Sequence, residues 1–585
     1  MPPRLTTHLK LLALSPRLSS PCPPLCRRLT IVTASTTSDP LNSQKAQKAI
    51  LKAAHKRKTT SFTATDTPWQ ITCGLEVHAQ LNTERKLFSA ARTSVTAPPN
   101  THISPIDASL PGVQPTLNPS VLLPAIRAAL SFSCTINTHS RFDRKHYFYW
   151  DQPAGYQITQ YYSPLAARGH FTLTPAWDGV DTPIQIGIRQ VQLEQDTGKT
   201  LSAPPNNLVD LNRVGAPLVE IITDPFPIED SEIAGKALAK IQAYLKAVDA
   251  CVLGMEWGGL RADVNVSVAP RGSSTLGQRC EIKNLSSFKA VTDAVAAEAK
   301  RQISLLESGK EIVGETRGWD AEKGVTTRLR GKEGEVDYRY MPEPDLPPVD
   351  IAENAILKIQ ETVQMLPEEA VEKLVNVHGI TWKDARTMLA LDDGRPMAEG
   401  GVMEFFTEVT KVVQEYLENQ KKHVGDVGRV AGNWVLHELW GLLTVREIEW
   451  KDNPVDAARM AQLLGYLLAD AITGPTAKKL LPRLLTSPET PAEIIKRENL
   501  AVQNHTDDQL AAIVDSVLAT PKGTQVLEQL MALNSIAGPK GDKKRMGVKS
   551  YFIGATMKEL KGTAQAKVVE QAVNRVLKEK GVALN

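Results

Sequence analysis

The chain of 585 residues is long enough for several domains, since a single hydrophobic core stops growing well short of that length. Its 42% hydrophobic and 23% charged content is that of a soluble globular protein, and no uninterrupted apolar run reaches the roughly 20 residues of a spanning helix, which excludes a helical membrane span. The net charge of +3 divides unevenly: residues 1–60 carry +10 (eleven Lys/Arg against Asp39), residues 536–585 carry +7 (eleven against four acids), and the body between them carries about −14.

Residues 1–40 read as a mitochondrial import segment addressed to the matrix. Arg4, Lys10, Arg17, Arg27 and Arg28 occur with no acid in the first 38 positions, among many Ser and Thr. Pro16, Pro21, Pro23 and Pro24 break the apolar pieces that a secretory signal would keep whole. Residues 41–68 form a basic, then polar, linker. Cys22 and Cys26 fall in the import segment, while Cys73, Cys134, Cys251 and Cys280 are scattered. No CxxC pair or Cys/His cluster indicates zinc, and a reducing compartment fits.

From 69 to 350, short alternating segments mix with helical stretches such as "EIAGKALAKIQAYLKAV" and "FKAVTDAVAAEAKRQISLLESGK", which predicts one large α+β domain. Alternate side chains of a strand share a face. In "GLEVHAQL", Leu75, Val77, Ala79 and Leu81 lie opposite Glu76, His78 and Gln80. In "LRADVNVSV", five apolar residues lie opposite Arg261, Asp263, Asn265 and Ser267, and in "RCEIK" Arg279, Glu281 and Lys283 lie opposite Cys280 and Ile282. Rows of acid, base and amide suit a site, although a solvated antiparallel sheet produces the same alternation.

"RFDRKHYFYWDQPAGYQITQYY" places eight of the protein's 31 aromatic residues within 21 positions, beside Arg141, Arg144 and Lys145. Such rings stack on bases or close over a nucleotide, or they pack a hinge. Lys145 and Tyr147 are the candidate site residues here. "RQVQLEQDTGKT" ends like a phosphate loop, but the glycine a Walker motif needs five positions before Gly198 is Leu193. Strict alternation puts Glu194 with Gln190 and Gln192 on the polar side and Gln195 with Val191 and Leu193. A bulge would reverse that.

"APLVEIITD" is apolar on both faces and buries Glu220. A buried carboxylate needs a cation, a donor or a metal, so a salt bridge to Arg213 and a metal role both account for it. Carboxylates with an imidazole suit a hard divalent cation such as Mg²⁺, which would hold a nucleotide without a Walker loop.

The proline-rich "YMPEPDLPPVD" marks a boundary. Beyond it the pattern is helical, with "VMEFFTEVTKVVQEYLENQ" and "AARMAQLLGYLLADAI" in a domain spanning 351–500, and a break near "ENLAVQNHTDDQL" opens a smaller tail domain, 501–585. In the tail, Lys543, Lys544, Arg545, Lys558 and Lys561 cluster as a nucleic-acid contact would.

Seven blocks, "GLEVHAQLNTERKLFS", "RKHYFYWDQPAGYQITQY", "LEQDTGK", "VDLNRVGAPLVEI", "RADVNVSV", "EIKNLSSF" and "DYRYMPEPDLPP", together resemble the B-subunit family of glutamyl-tRNA(Gln) amidotransferases, in a fungal-type mitochondrial form. The resemblance implies an α+β architecture: a large mixed-sheet cradle domain, an all-helical domain and a small helical YqeY-like tail that binds tRNA. It implies a carbon–nitrogen ligase complex, a heterotrimer, that converts Glu-tRNA(Gln) to Gln-tRNA(Gln). In the family this chain uses ATP and Mg²⁺ to phosphorylate the γ-carboxylate of tRNA-bound glutamate, and ammonia displaces the phosphate. "RGSSTLG" lacks an amidase's extended glycine pattern and no Cys–His pair replaces it, so a partner amidase (A) subunit is expected to make the ammonia. A small third subunit, of C or F type, is expected beside it.

By the same resemblance, Glu76 and His78 match the family's metal-site pair, Glu220 matches its Pro-Leu-x-Glu-Ile carboxylate, and Asp263 and Glu281 line the cradle. Arg261 and Lys283 are expected at the nucleotide. Where the bacterial pattern reads Glu-Glu-Asp with the second Glu as metal ligand, this chain has Gln195, so the ligand is Glu194 or Gln195. A non-catalytic tRNA-binding scaffold, with Gln195 as the mark of a decayed metal site, is the alternative. A metal-dependent hydrolase is disfavoured because no H-E-x-x-H motif appears.

Overall fold

The computed structural model describes residues 62–582 except 65–66, 204, 252, 332–337, 364, 423–424, 504, 534–538 and 561–562, and except the side chains of 330–331 and 539–545. The import segment and most of the linker therefore lie outside the described residues, as does Lys561.

The alternation read in the sequence becomes a sheet with one oily and one polar face. Its strands are β1 (Trp69–Gln80), β2 (Thr135–Ile136), β5 (Ala166–Leu173), β6 (Ile184–Gln195), β7 (Pro217–Thr223), β8 (Phe226–Ile228), β9 (Leu260–Pro270), β10 (Cys280–Leu285), β11 (Glu315–Asp320) and β12 (Val325–Gly331). Among the described residues the order is β12-β11-β10-β9-β1-β7-β6-β5-β2, with β8 also on β1. The β10–β11 pair is parallel and the other pairs are antiparallel, so the sheet is mixed. A second sheet joins β3 (Asp143–His146) and β4 (Tyr156–Thr159) to β13 (Met341–Pro342). The proline-rich segment supplies that edge strand, the position in a sheet where a missing N–H is tolerated.

Leu75, Val77 and Ala79 of β1 are buried together with Ala262 and Val264 of β9 and Ile282 of β10. Two helices with apolar stripes, α1 (Glu232–Ala247) and α2 (Phe288–Glu307), cover that face with Leu238, Ile241, Val291 and Val295. Ser287 caps α2 by accepting from the Ala290 N–H. The opposite face, carrying Glu76, His78, Arg261, Asp263, Glu281 and Lys283, is only part-covered. The helical remainder has two further apolar cores, within 370–495 and 510–582. The helix Glu353–Thr362, just past the proline-rich segment, packs Ile356 and Ile359 on the first core. The architecture is α+β, and among the described residues no helix is long and apolar enough to cross a membrane.

Cys73, Cys134, Cys251 and Cys280 are buried free thiols. Burial pushes Cys73 and Cys134 up to about 12, Cys280 up to about 11, and Cys251 upward as well. At pH 8 about one such thiol in 10³ or fewer is a thiolate, the form that reacts. Native protein treated with iodoacetamide at pH 8 is expected to leave all four unlabelled by mass spectrometry, while urea exposes all four.

A candidate metal and nucleotide site on the polar face

Register brings the site together. His78 stands opposite Glu220 on one side and Arg261 on the other, and Glu220 stands opposite Gln192. The row Gln192–Glu220–His78–Arg261 thus crosses four strands. Glu194, two residues along β6 from Gln192, leans into the same face, so the polar side is the one strict alternation assigns to it.

His78 Nε2 lies 3.6 Å from Glu194 Oε1 and 3.7 Å from Glu220 Oε1. These distances are long for hydrogen bonds, yet ligand atoms about 2.1 Å from one small ion stand about 3 to 4 Å apart. Among the described residues, no other three metal-ligating side chains come so close. Glu194 and Glu220 are 2% and 6% exposed, and Glu194 Oε2 is buried without a hydrogen bond. A buried carboxylate oxygen with no hydrogen bond, and only the Lys145 ammonium at 3.8 Å, beside a second carboxylate and an imidazole fits a divalent cation.

The charges carry the same mark. Burial alone would lower His78, but Glu220, Glu194 and Asp263 overcome it and hold the imidazole at about 9. Burial and the Glu194 charge push Glu220 upward, while Glu194 resists its own burial and is held down by Lys145 and His78. Protons therefore serve as the positive charge this cluster needs, and a metal would displace them.

The remaining candidates fall around this trio. Lys145 Nζ is 3.8 Å from Glu194 Oε2 and 5.2 Å from the Tyr338 ring centroid, and Glu194 and Glu220 raise its pKa against the effect of burial. Burial and then Asp151 raise the Tyr147 phenol. Glu76 is one row from His78, opposite Asp263, and accepts from Asn265 Nδ2 at 3.0 Å. Asp263 and Glu281 are bound to Lys283 at 2.5 and 3.1 Å, so they form a second cluster rather than part of the trio.

One sequence expectation is corrected, and two further candidates are located. Arg213 does not reach Glu220: it donates to the carbonyls of Thr197 and Gly198 and lies 3.7 Å from Asp196, fixing the turn that follows β6. Glu220 is met by a neutral amide instead, Gln192 Nε2 at 2.6 Å. Gln195 is not in the trio: it lines a cavity of about 270 Å³ with Gln152, Asp107, Tyr156 and Gly215. Arg261, expected at the nucleotide, pairs its Nη2 with Asp196 Oδ2 at 2.7 Å.

The Gly-Lys-Thr after β6 opens a hairpin, and the Gly198 N–H donates to the Asp151 carbonyl, so it cradles no phosphate. The aromatic segment divides: Phe142 is buried against Phe88, whereas Phe148, Trp150 and Tyr162 are exposed. Arg144 sits over the Tyr156 ring and is clamped by Glu343 and Asp345. In the tail Lys558 is exposed, and the side chains of Lys543, Lys544 and Arg545 lie outside the described residues. Gln157 and Gln192, which hold the two carboxylates of the trio, do not stand out in the sequence. The signal available is their spacing on polar strand faces opposite acids.

Comparison with known proteins identifies the family. The family described as "GatB/GatE catalytic domain" matches residues 71–357, which span the sheet and its site, and "GatB domain" matches 411–577, which begins within the second core and runs through the third. The chain is 42% identical over 94% of its length to a protein of Aspergillus fumigatus whose name is that of the mitochondrial B subunit of glutamyl-tRNA(Gln) amidotransferase, covering 91% of that protein. It is 43% identical to the protein of the same name from Aspergillus oryzae, with 93% and 91% covered, and 44% identical to that of Ajellomyces dermatitidis, with 87% and 86% covered. The chain belongs to the family of glutamyl-tRNA(Gln) amidotransferase B subunits.

Proposed function

We propose that this chain is the B subunit of a mitochondrial matrix complex that amidates Glu-tRNA(Gln) to Gln-tRNA(Gln), and that it activates the glutamate γ-carboxylate with ATP and Mg²⁺. The observation that carries the reading is the trio of His78, Glu194 and Glu220, with a buried carboxylate oxygen that makes no hydrogen bond, inside the segment that matches the family's catalytic domain. These three side chains would hold the cation. When bound, Mg²⁺ would neutralise charge on the nucleotide phosphates. Lys145, a cation beside the trio, would orient the anionic γ-carboxylate. Arg261 and Lys283, held in place by Asp196 and by Asp263 with Glu281, would offer oriented N–H donors to a phosphoryl group along the same face. Phosphorylation turns a poor acyl donor into one with a leaving group. Ammonia then forms the C–N bond and phosphate departs.

The ammonia would come from glutamine on a partner amidase subunit, with a small C- or F-type third subunit holding the two together, and the basic tail would contact the tRNA. Gln195 lends no support to a decayed, scaffold-only site, since its neighbour Glu194 supplies the carboxylate beside His78. The test combines the chain with its partner subunits, ATP, Mg²⁺, glutamine and Glu-tRNA(Gln), followed by identification of the esterified amino acid. Glutamine is expected. Unchanged glutamate from a fully assembled complex rules the reading out.

A further inference from the structure

Two buried glutamines, 6% and 3% exposed, touch the carboxylates of the trio: Gln157 on β4 and Gln192 on β6. Gln157 Nε2 donates to Glu194 Oε1 and to the Gln195 carbonyl, both at 2.7 Å. Gln192 Nε2 donates to Glu220 Oε2 at 2.6 Å and to Thr159 Oγ1 at 3.0 Å. Gln192 Oε1 in turn accepts from Gln190 Nε2 at 2.5 Å. Each amide thus has both N–H groups engaged and cannot turn without breaking two buried hydrogen bonds.

The consequence falls on the carboxylates. Gln192 holds Glu220 Oε2 and leaves Oε1 facing His78 at 3.7 Å, whereas Gln157 holds Glu194 Oε1, the oxygen 3.6 Å from His78, and leaves Oε2 buried with no hydrogen bond and 3.8 Å from Lys145 Nζ. Amides do this without adding charge. An Arg or Lys in either place would fix the carboxylate equally well but cancel the negative field a divalent cation requires, whereas an apolar residue would leave the carboxylate free to rotate.

We propose that Gln157 and Gln192 are positioning residues of the cation site, setting its affinity by locking the Glu194 and Glu220 carboxylates in the orientation that faces His78. This rests on the cation reading of the trio given above. It gives the three-stranded sheet of β3, β4 and β13 a role in that site, because Gln157 reaches Glu194 from that layer.

The experiment uses the full chain in complex with its partner subunits and follows Mn²⁺ binding by electron paramagnetic resonance, with Mg²⁺ as competitor. Gln157→Met and Gln192→Met keep side-chain length and remove the donors. Each is expected to weaken Mn²⁺ and Mg²⁺ binding about 10- to 100-fold, the range for ligand-orienting partners, and to raise the KM for Mg²⁺ while kcat recovers at saturating Mg²⁺. A purely structural role would lower the melting temperature and leave metal affinity unmoved. Folded Met variants that bind Mn²⁺ like the wild type overturn the proposal and leave the cation reading intact. A wild-type complex that binds neither ion overturns both. Should either variant fail to fold, the Mn²⁺-loaded wild-type structure decides: both amides on their carboxylates support the proposal, and an amide turned away, or ligating the ion itself, overturns it.

Discussion

Glu220→Gln is expected to cut transamidation by about 10²- to 10³-fold, the loss of about 3 to 4 kcal/mol of transition-state stabilisation, while making the metal-free protein more stable. The loss follows from taking one of two carboxylates out of the trio. The gain follows from the chemistry of the metal-free site, where burial and Glu194 disfavour a charged Glu220. Its folded pKa lies above the ordinary carboxylate value, so between the two the folded state binds the extra proton and stability falls as pH rises. Glutamine mimics the protonated acid and can still accept from Gln192 Nε2, so it avoids that cost. The variant's advantage should therefore be small near pH 5 and largest near pH 8. Thermal melts in EDTA at both values, alongside complex assembly and tRNA binding, check it. A Gln variant with normal turnover would mean that Glu220 takes no part in the chemistry. One with no stability gain at pH 8 would mean that its charge is compensated in the metal-free fold.

The same cluster shows how far sequence reading reaches. Period-two alternation is a local property, so the faces of "GLEVHAQL", "LRADVNVSV" and "RCEIK" are legible, and the strand burial follows them except at Ser267, which is buried with its apolar neighbours. The burial of Glu220 is legible too, because a carboxylate flanked by apolar residues on both faces of a strand has no route to water. Strand neighbours are a long-range property and are not legible. Nothing local says that β1 lies between β7 and β9, and that placement alone sets His78 between Glu220 and Arg261. Arg213 is the wrong partner for Glu220 because closeness along the chain carries little information once a tight turn intervenes. Arg213 serves the Asp196–Gly198 turn. Glutamine is the least legible residue of all, since the same side chain wets a surface or pins a buried carboxylate depending on what folds over it.

The largest stability effect is expected away from this site, from Lys240→Met, at about 3–5 kcal/mol. Lys240 lies on α1 and is 2% exposed. Its Nζ pairs with Asp178 Oδ2 at 2.8 Å and with Glu368 in the first turn of the helix Pro367–His378, where Tyr244 on α1 also donates to Glu368 at 3.4 Å. One ammonium thus holds two largely desolvated carboxylates and ties the helix over the first core to the first helix of the second. Methionine fills the space but leaves both acids without their cation, and desolvation of unpaired charge is what makes breaking such a group costlier than never having built it. Two further variants separate charge from packing. Glu368→Gln should cost much less, because Lys240 keeps Asp178. Adding Asp178→Asn and Glu368→Gln to Lys240→Met should recover most of the loss, since no charge is then stranded. Urea denaturation measures each step, and faster proteolysis between residues 351 and 366 in Lys240→Met would locate the weakness at the joint. If the triple variant is no more stable than Lys240→Met, the cost lies in lost side-chain packing rather than in unpaired charge.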